Sequence, residues 1–346
     1  MKARIVRRAA AQPSALAGTV LSRDVRGADG ARRFPKGSVV SAADASALME
    51  LDWTELHVID IEPGELHESE AGRRIAAATA GDGTTIGGFG GGAWPVASAL
   101  RGILRVDVSR LARENAIDGA CVYTLYDGQI VEPGEVVARA KITPFVIDES
   151  RIELVERIVR DGGGLVRVLG FRPLTVAAVV QETLAAPAQE RFRAALAVKI
   201  AWFGARLAEP QFVPVDGGAV AAAVDAALSA GADVVVMAGT KALDPLDPAF
   251  VALDTLGARL ERFGVPAHPG SLLWIARLRD VPIIGMPSCG LFSQATVFDL
   301  VLPRVLAGDD VDAGALGALG HGGLLSRDYA FRFPRYRDGG ARGELA

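Results

Sequence analysis

The second half of the chain alternates between short apolar runs and longer stretches with helical periodicity. Residues 175–181 (TVAAVVQ) and 233–237 (DVVVM) are apolar runs of strand length, typical of strands that are buried on both faces of a sheet. Helical patterns occupy 187–205 and 217–231 between them. This alternation predicts an α/β domain with a mostly parallel, doubly wound sheet over residues 149–308.

The pattern continues towards the C-terminus. Residues 247–264 carry apolar positions at the spacing of one helix face, 271–278 and 281–286 have strand composition, and 293–308 predict a last long helix. Residues 309–346 are predicted to be a C-terminal extension with a disordered end, because the last residues are rich in glycine and charge.

The first half has a different pattern, which predicts a smaller β-rich α+β domain over residues 1–148. Short strands follow one another from residue 101 to 147, and Asp127-Gly128 is typical of a tight hairpin turn. Ser41 is a candidate cap for a helix over 42–51. The glycine-dense stretch 81–95 lacks a phosphate-binding motif, which favours a hinge over a phosphate loop.

Composition and charge narrow the functional classes. The 346 residues include 37 basic and 41 acidic side chains, so no strongly basic surface favours nucleic acid. The two cysteines are far apart, which fits a reducing cytoplasm better than a disulfide framework. No apolar run approaches the ~18 residues of a membrane span. We therefore expect a cytoplasmic protein without a nucleic-acid or membrane partner.

The first candidate site follows the strand 233–238. Gly239, Thr240 and Lys241 form a turn after the strand, at the sheet edge where α/β proteins bind ligands. Backbone N–H groups and the next helix N-terminus favour an anion there. Asp244 and Asp247 are candidate catalytic residues and Mg²⁺ ligands. Alternatively, Asp247 caps the helix that begins at proline, and Lys241 is a solvated loop residue.

The first βα turn of this half, residues 181–183, is expected at the same sheet edge. The other candidate positions lie in two later loops. His268 precedes Pro269 in a loop that continues with Gly270 and Ser271, which are predicted to contact a ligand. Further ligand contacts are predicted in the turn after the strand 281–286; they are Pro287, Ser288, Cys289, Gly290 and Ser293. Cys289 is either a thiolate nucleophile at a helix N-terminus or a small residue in a tight turn, and the absence of a Cys-His motif favours the turn.

The order of these loops resembles the molybdopterin-binding domain of molybdenum-cofactor biosynthesis proteins. That family has a Gly-Gly-[Thr/Val]-[Gly/Ser] loop, then an aspartate, a Pro-Gly-Lys-Pro loop, and Gly-Leu-Pro-Gly-Asn-Pro-x-Ser before a helix. Similar positions here are 238–241 (AGTK) with Asp247, 268–271 (HPGS), and 285–293 (GMPSCGLFS). The similarity spans roughly residues 165–308. The sequence departs from the family at Ala238 and Lys241, and it lacks the lysine of the second loop.

The resemblance implies that the protein binds molybdopterin, a pterin with a terminal phosphate, as ligand or substrate, with Mg²⁺ as a candidate cofactor. It implies a role in cofactor biosynthesis, modification or delivery, with a molybdoenzyme or another cofactor-synthesis protein as candidate partner, and a homo-oligomer. A transferase would act by phosphoryl or adenylyl transfer or by molybdate insertion. Two alternatives stay open: a non-catalytic cofactor carrier or sensor, and an α/β enzyme acting on another small phosphorylated metabolite.

Overall fold

The computed structural model describes residues 2–287, 295–309 and 311–336. The chain forms two compact units. The first unit contains residues up to Leu100, 104–127 and 131–168, and the second contains 101–103, 128–130 and the chain from Leu169 onwards. The change of unit after Val168 lies later than the predicted boundary at 148. The reason is the helix Glu149–Val159, whose buried face belongs to the core of the first unit.

The first unit combines short strands with five helices among its described residues. Its strands are β1 Lys2–Arg7, β2 Val20–Leu21, β3 Val25–Arg26, β4 Arg32–Phe34, β5 Glu55–Asp60, β6 Glu65–His67, β7 Thr84–Ile86, β8 Trp94–Ser98, β10 Ala120–Thr124, β12 Val136–Ile142 and β13 Val146–Asp148. Its helices are α1 Pro13–Leu16, α2 Ala42–Glu50, α3 Glu68–Thr79, α4 Val108–Asn115 and α5 Glu149–Val159. Three strands contain residues of both units: β9 Gly102–Val106, β11 Ile130–Val131 and β14 Val166–Gly170.

Antiparallel pairing dominates the described strands of the first unit. One sheet has the order β1-β5-β2 and another has the order β10-β12-β8-β7. The predicted cap of α2 is confirmed, because Ser41 and Asp44 form a reciprocal capping box. The turn predicted at Asp127-Gly128 is present, but the tight hairpin predicted around it is wrong. Strand β10 pairs with β12 rather than with β11, and Asp127 Oδ1 instead accepts hydrogen bonds from Arg105 Nε and Val106 N.

The glycine-dense stretch 81–95 is partly ordered by strands β7 and β8. Gly83 has a φ of +72°, and a Cβ there would lie 2.3 Å from the carbonyl oxygen of Val168. A side chain would therefore collide with the backbone, so this glycine serves a close packing contact.

The second unit is built around one seven-stranded sheet. Its strands are β15 Thr175–Gln181, β16 Arg206–Leu207, β17 Gln211–Val213, β18 Val234–Ala238, β19 Arg259–Phe263, β20 Trp274–Leu278 and β21 Val281–Gly285. Its helices are α6 Ala186–Trp202, α7 Gly217–Ser229, α8 Pro248–Thr255, α9 Phe298–Ala307 and α10 Ala313–Gly317. Short 3-10 helices occupy Arg8–Ala10 and Arg160–Gly162 in the first unit, and Ala318–Gly320 and Arg327–Arg332 in the second.

The strand order of this sheet is β16-β15-β18-β21-β20-β19, and β17 also pairs with β15. Strands β15, β16, β17, β18 and β21 are parallel, whereas β20 pairs antiparallel with both β19 and β21. The fold is therefore α/β, and the sheet is mixed because an antiparallel pair extends one edge.

Helices cover both faces of this sheet. Along β18, Val234 and Val236 pack into a core with residues of α6 and α9, whereas Val235 and Met237 pack with residues of α7 and α8. Alternate side chains of a strand point to opposite faces, so a continuous apolar run is buried on both sides. This explains why the sequence pattern located these strands correctly.

Two predictions for the end of the chain need correction. The helix predicted over 247–264 ends at Thr255, and Arg259–Phe263 forms strand β19 instead. Gly257 lies between them with a φ of +70°, a conformation that ends helices. Residues after 308 are more than an extension, because Leu316 and Leu319 are buried in the core of the second unit. The predicted disordered end lies outside the described residues.

Among the helices of residues 2–287, 295–309 and 311–336, none combines the length and the apolar character that crossing a membrane requires.

Candidate functional site

The site lies where the chain reverses its direction of travel across the sheet. From β15 the chain proceeds through α6 to β16 and β17 on one side, and β18 then pairs with the other side of β15. Such a switch leaves a crevice at the carboxyl ends of the two strands, which is where open α/β sheets bind ligands. The two strands end at Gln181 and Ala238.

A buried carboxylate joins these two strand ends. Asp247 is only 2% exposed, and its Oδ1 accepts hydrogen bonds from Gln181 Nε2 (2.6 Å) and Ala249 N (3.0 Å). Its Oδ2 accepts a hydrogen bond from Lys241 N at 2.8 Å. Asp247 therefore caps α8 and fixes both the turn after β18 and the amide of Gln181.

The turn after β18 requires glycine at its first position. Gly239 has a φ of +82°, and a Cβ there would lie 2.8 Å from the carbonyl oxygen of Gln181. Both the left-handed conformation and this contact exclude a larger residue.

A cavity of about 160 Å³ opens beside this turn. It is lined by residues from three separate parts of the second unit: Thr240 and Ala242; His268, Gly270, Ser271, Leu272 and Trp274; Met286 and Pro287. Each of the three stretches that carry the sequence resemblance therefore contributes to one cavity. The predicted contacts Thr240, Gly270, Ser271 and Pro287 lie together in its wall.

Close packing gives this cavity its shape. Gly285 ends β21 opposite Trp274 in the sheet register, and a Cβ on Gly285 would lie 2.0 Å from the indole ring. Gly270 has a φ of +108°, and a Cβ there would lie 3.0 Å from Val297 N. The loop that contains Gly270 is also held by a hydrogen bond from Val297 N to Pro269 O. Both glycines are thus positions where a side chain would displace the cavity wall.

Two polar side-chain atoms at this sheet edge have no hydrogen-bond partner among the described residues. They are Gln181 Oε1 and Thr240 Oγ1, and both atoms are buried. Gln181 is 2% exposed, and Thr240 is partly buried. A buried polar atom without a partner is uncommon in folded proteins and calls for an explanation such as a bound ligand or water.

Of the three charged candidates at the site, Asp247 is buried, whereas Lys241 and Asp244 are exposed. Asp244 Oδ1 accepts a hydrogen bond from Leu246 N at 2.9 Å. In the described part of the chain, no three His, Cys, Asp or Glu residues come together as a metal site would require. Asp244 and Asp247 therefore form no metal site of their own, and a Mg²⁺ that also uses ligand phosphates stays a prediction.

The helix N-terminus at which an anion was predicted is occupied by a carboxylate of the protein itself. The N-terminus of α8 was expected to favour a bound anion, but the Asp247 carboxylate already accepts the hydrogen bond of Ala249 N there. A carboxylate at this position compensates the helix dipole and leaves no positive end for a phosphate. Lys241 remains as an exposed cation for that role.

Four predicted contacts, Ser288, Cys289, Gly290 and Ser293, lie outside the described residues. Three lining residues, Ala242, Leu272 and Trp274, lie outside the predicted contacts, and Met286 belongs to the third predicted loop without a predicted role. Gln181 belongs to the turn 181–183, which was predicted to lie at this sheet edge without a ligand contact of its own. Its signal in the sequence is a polar residue at the end of the otherwise apolar run TVAAVV.

A larger groove of about 460 Å³ shares the lining residue Ala242 with this cavity. Its lining is mostly apolar, with Leu243, Phe250, Leu260 and Phe263 among its residues. Ligand sites for small molecules combine apolar walls with a few polar groups that fix orientation. The smaller cavity meets this description better because Thr240, His268 and Ser271 line it.

Comparisons with known proteins gave no family match and no similar curated protein. Solved structures that are similar to this chain include a molybdopterin biosynthesis MoeA protein from Pyrococcus horikosii, with 13% identity and a TM-score of 0.31. That similarity covers 92% of this chain and 77% of the other. A molybdenum cofactor biosynthesis protein from Pyrococcus furiosus has 13% identity and a TM-score of 0.24, over 90% and 66% of the two chains. Similarity at this level assigns no function to this chain.

Proposed function

We propose that the second unit binds molybdopterin, or a nucleotide form of the finished cofactor, in the cavity at the carboxyl edge of its sheet. The protein would then act in the synthesis, modification or delivery of the molybdenum cofactor. The proposal rests on one observation above all. Three stretches that are far apart in sequence, and that together carry the resemblance to molybdopterin-binding domains, line the same cavity.

The chemistry of the cavity supports a ligand with a flat, partly polar ring and an anionic tail. Trp274, Leu272 and Met286 supply apolar contacts, and Thr240 and Ser271 supply hydroxyl groups. The exposed ammonium of Lys241 follows Thr240 directly and suits a phosphate. A cavity of about 160 Å³ holds part of such a ligand, with the remainder at the surface.

The roles of the two aspartates bear on whether the protein is an enzyme. Both oxygens of Asp247 are hydrogen-bonded within the protein, so this side chain positions the turn rather than contacting a reacting atom. Asp244 is exposed and remains the candidate for contact with a metal ion or nucleotide. The geometry thus also favours a second candidate function, a non-catalytic carrier or sensor of the cofactor.

The experiment is an anaerobic titration of the full-length protein with molybdopterin, with and without Mg²⁺ and ATP. We expect micromolar or tighter binding. Ser271→Trp should weaken it strongly because the indole would fill the cavity mouth, and Lys241→Ala should weaken it several-fold. Ser229→Trp, at the exposed end of α7, and Lys36→Ala, in the first unit, are matched controls.

Consumption of ATP in the same titration would identify an enzyme, and its loss in Asp244→Asn would assign a role to that carboxylate. Binding without turnover would identify a carrier. Failure of the protein to bind molybdopterin, together with tight binding of a sugar phosphate, would replace the proposal by an α/β enzyme for another phosphorylated metabolite.

A further inference from the structure

Asp247 determines which end of the Gln181 amide is free. An ionised carboxylate accepts hydrogen bonds and does not donate them, so the Gln181 atom 2.6 Å from Asp247 Oδ1 is the amide nitrogen. The same nitrogen lies 3.4 Å from the carbonyl oxygen of Gly239. The amide oxygen is then the end without a partner, and rotating the amide would break the bond to the carboxylate.

The free Gln181 oxygen accepts hydrogen bonds only. Thr240 Oγ1 accepts as well as donates, and it belongs to the residue that follows Gly239 at the cavity wall. Neither atom has a partner among the described residues. A buried acceptor without a donor is unfavourable, so a group that brings N–H donors to this place would be bound preferentially.

We propose that Gln181 and Thr240 determine ligand specificity by accepting hydrogen bonds from N–H groups of a bound heterocycle. This inference rests on the proposed function and deepens it. The Gln181 amide lies behind the cavity wall, beside Gly239 and next to Thr240. These two acceptors would take the amino and lactam N–H groups of a pterin, and the anionic tail would lie at the exposed Lys241. The site would thus reject rings of the same shape that lack these donors.

Two observations favour this orientation of the ligand over its reverse. Neither lysine nor arginine is among the residues that line the cavity, and His268 is the one histidine there. A phosphate placed beside Gln181 would also bring acceptor oxygens against the Gln181 oxygen and close to the Asp247 carboxylate. Only the exposed Lys241 carries a positive charge on this turn. The acceptors of Gln181 and Thr240 and the exposed cation of Lys241 therefore fit a ligand whose ring N–H groups face the two acceptors and whose phosphate lies at Lys241.

The test is a double-mutant cycle between ligand and protein. The ligands are 6-hydroxymethylpterin phosphate, its 2-deamino analogue, which lacks the amino donors, and its 3-methyl analogue, which lacks the lactam N–H. The variants are Gln181→Met and Thr240→Val, with Gln211→Met and Thr255→Val as controls at exposed positions of the same unit. Affinities are measured by calorimetry, and molybdopterin is titrated alongside.

For the wild type we expect at least one analogue to bind about tenfold more weakly than the parent pterin, as one unmade buried hydrogen bond implies. The ratio of the two dissociation constants, analogue over parent pterin, should fall towards one in Gln181→Met or Thr240→Val. It should stay at about ten in both controls. A purely structural role would lower the affinity for all three ligands equally, because the whole cavity would be disturbed. Thr240→Val preserves side-chain shape and keeps the test valid if Gln181→Met folds poorly.

Equal affinity of the wild type for parent and analogues would overturn the inference, as would a ratio that neither variant changes. If molybdopterin binds under these outcomes, the proposed function survives and only the specificity assignment fails. If the wild type binds neither molybdopterin nor any of the three pterins, both the proposed function and the inference are overturned.

Discussion

The carboxylate of Asp247 should contribute far more to stability than an ordinary helix cap. Asp247→Ala removes the cap of α8, which costs about 1 kcal/mol on average. It also leaves the amide nitrogen of Gln181 without its 2.6 Å acceptor in a residue that is 2% exposed, which adds about 1–3 kcal/mol. The Lys241 N–H loses its acceptor too, but water reaches this exposed residue and replaces it. We expect a loss of about 2–4 kcal/mol.

The assay is hydrogen exchange at increasing urea, with the free energy of unfolding taken from peptides of β18 and α8. Peptide resolution is needed because a chain with two compact units does not have to unfold in one step. Asp216→Ala is the matched control. Asp216 caps α7 through one hydrogen bond to Ala219 N at an exposed position, so its removal should cost only about 1 kcal/mol. Equal losses in the two variants would refute the account of Asp247 as the link between two strand ends.

Three further predictions concern other buried features. Gly239→Ala should destabilise the second unit by clearly more than Gly231→Ala, as measured by urea unfolding. Both glycines have positive φ angles (+82° and +84°), but only at Gly239 would a Cβ meet backbone atoms, so equal effects would contradict the contact. Burial raises the pKa of Glu114 to about 8. The folded state therefore keeps a proton that the unfolded chain releases above the ordinary glutamate pKa of 4.5. The free energy of unfolding should fall by up to about 1.4 kcal/mol per pH unit between about 4.5 and 8. Thermal unfolding from pH 5 to 9 should show this decrease of stability with pH, and Glu114→Gln should make the dependence flatter. The same pH dependence in the variant would contradict the assignment of this effect to Glu114. Lys199→Met should cost about 3–5 kcal/mol in chemical denaturation, since it leaves the fully buried Asp299 carboxylate without the ammonium 2.7 Å away. A loss below about 1 kcal/mol would show that the pair is not buried in solution.

The sequence predicted secondary structure correctly where the spacing of apolar residues follows from their burial. Continuous apolar runs marked the strands β15 and β18 because both faces of this sheet are covered. The same criterion failed at Arg259–Phe263, where an edge strand has leucine and phenylalanine at a spacing that also fits a helix. Only the backbone conformation of Gly257 separates the two elements, and one glycine within a periodic stretch is a weak signal.

The three stretches that line the cavity were predictable from the sequence, but the contacts between them were not. Gly239 and Gly270 are positions where close approach of the backbone requires glycine, and the ligand contacts predicted for them stay predictions. The central role of Gln181 depends on a bond to a residue far along the chain, which local spacing does not encode. For Asp247, the Asp-Pro order indicated a cap and a ligand equally well, and only its three hydrogen bonds favour the cap.

The most direct measurement is hydrogen exchange of the full-length protein with and without molybdopterin. The account predicts slower exchange in three stretches together, 239–242, 268–274 and 285–287, because one ligand would cover all of them. Protection confined to a different surface, or no change at saturating ligand, would contradict the claim that these three stretches form one pterin site.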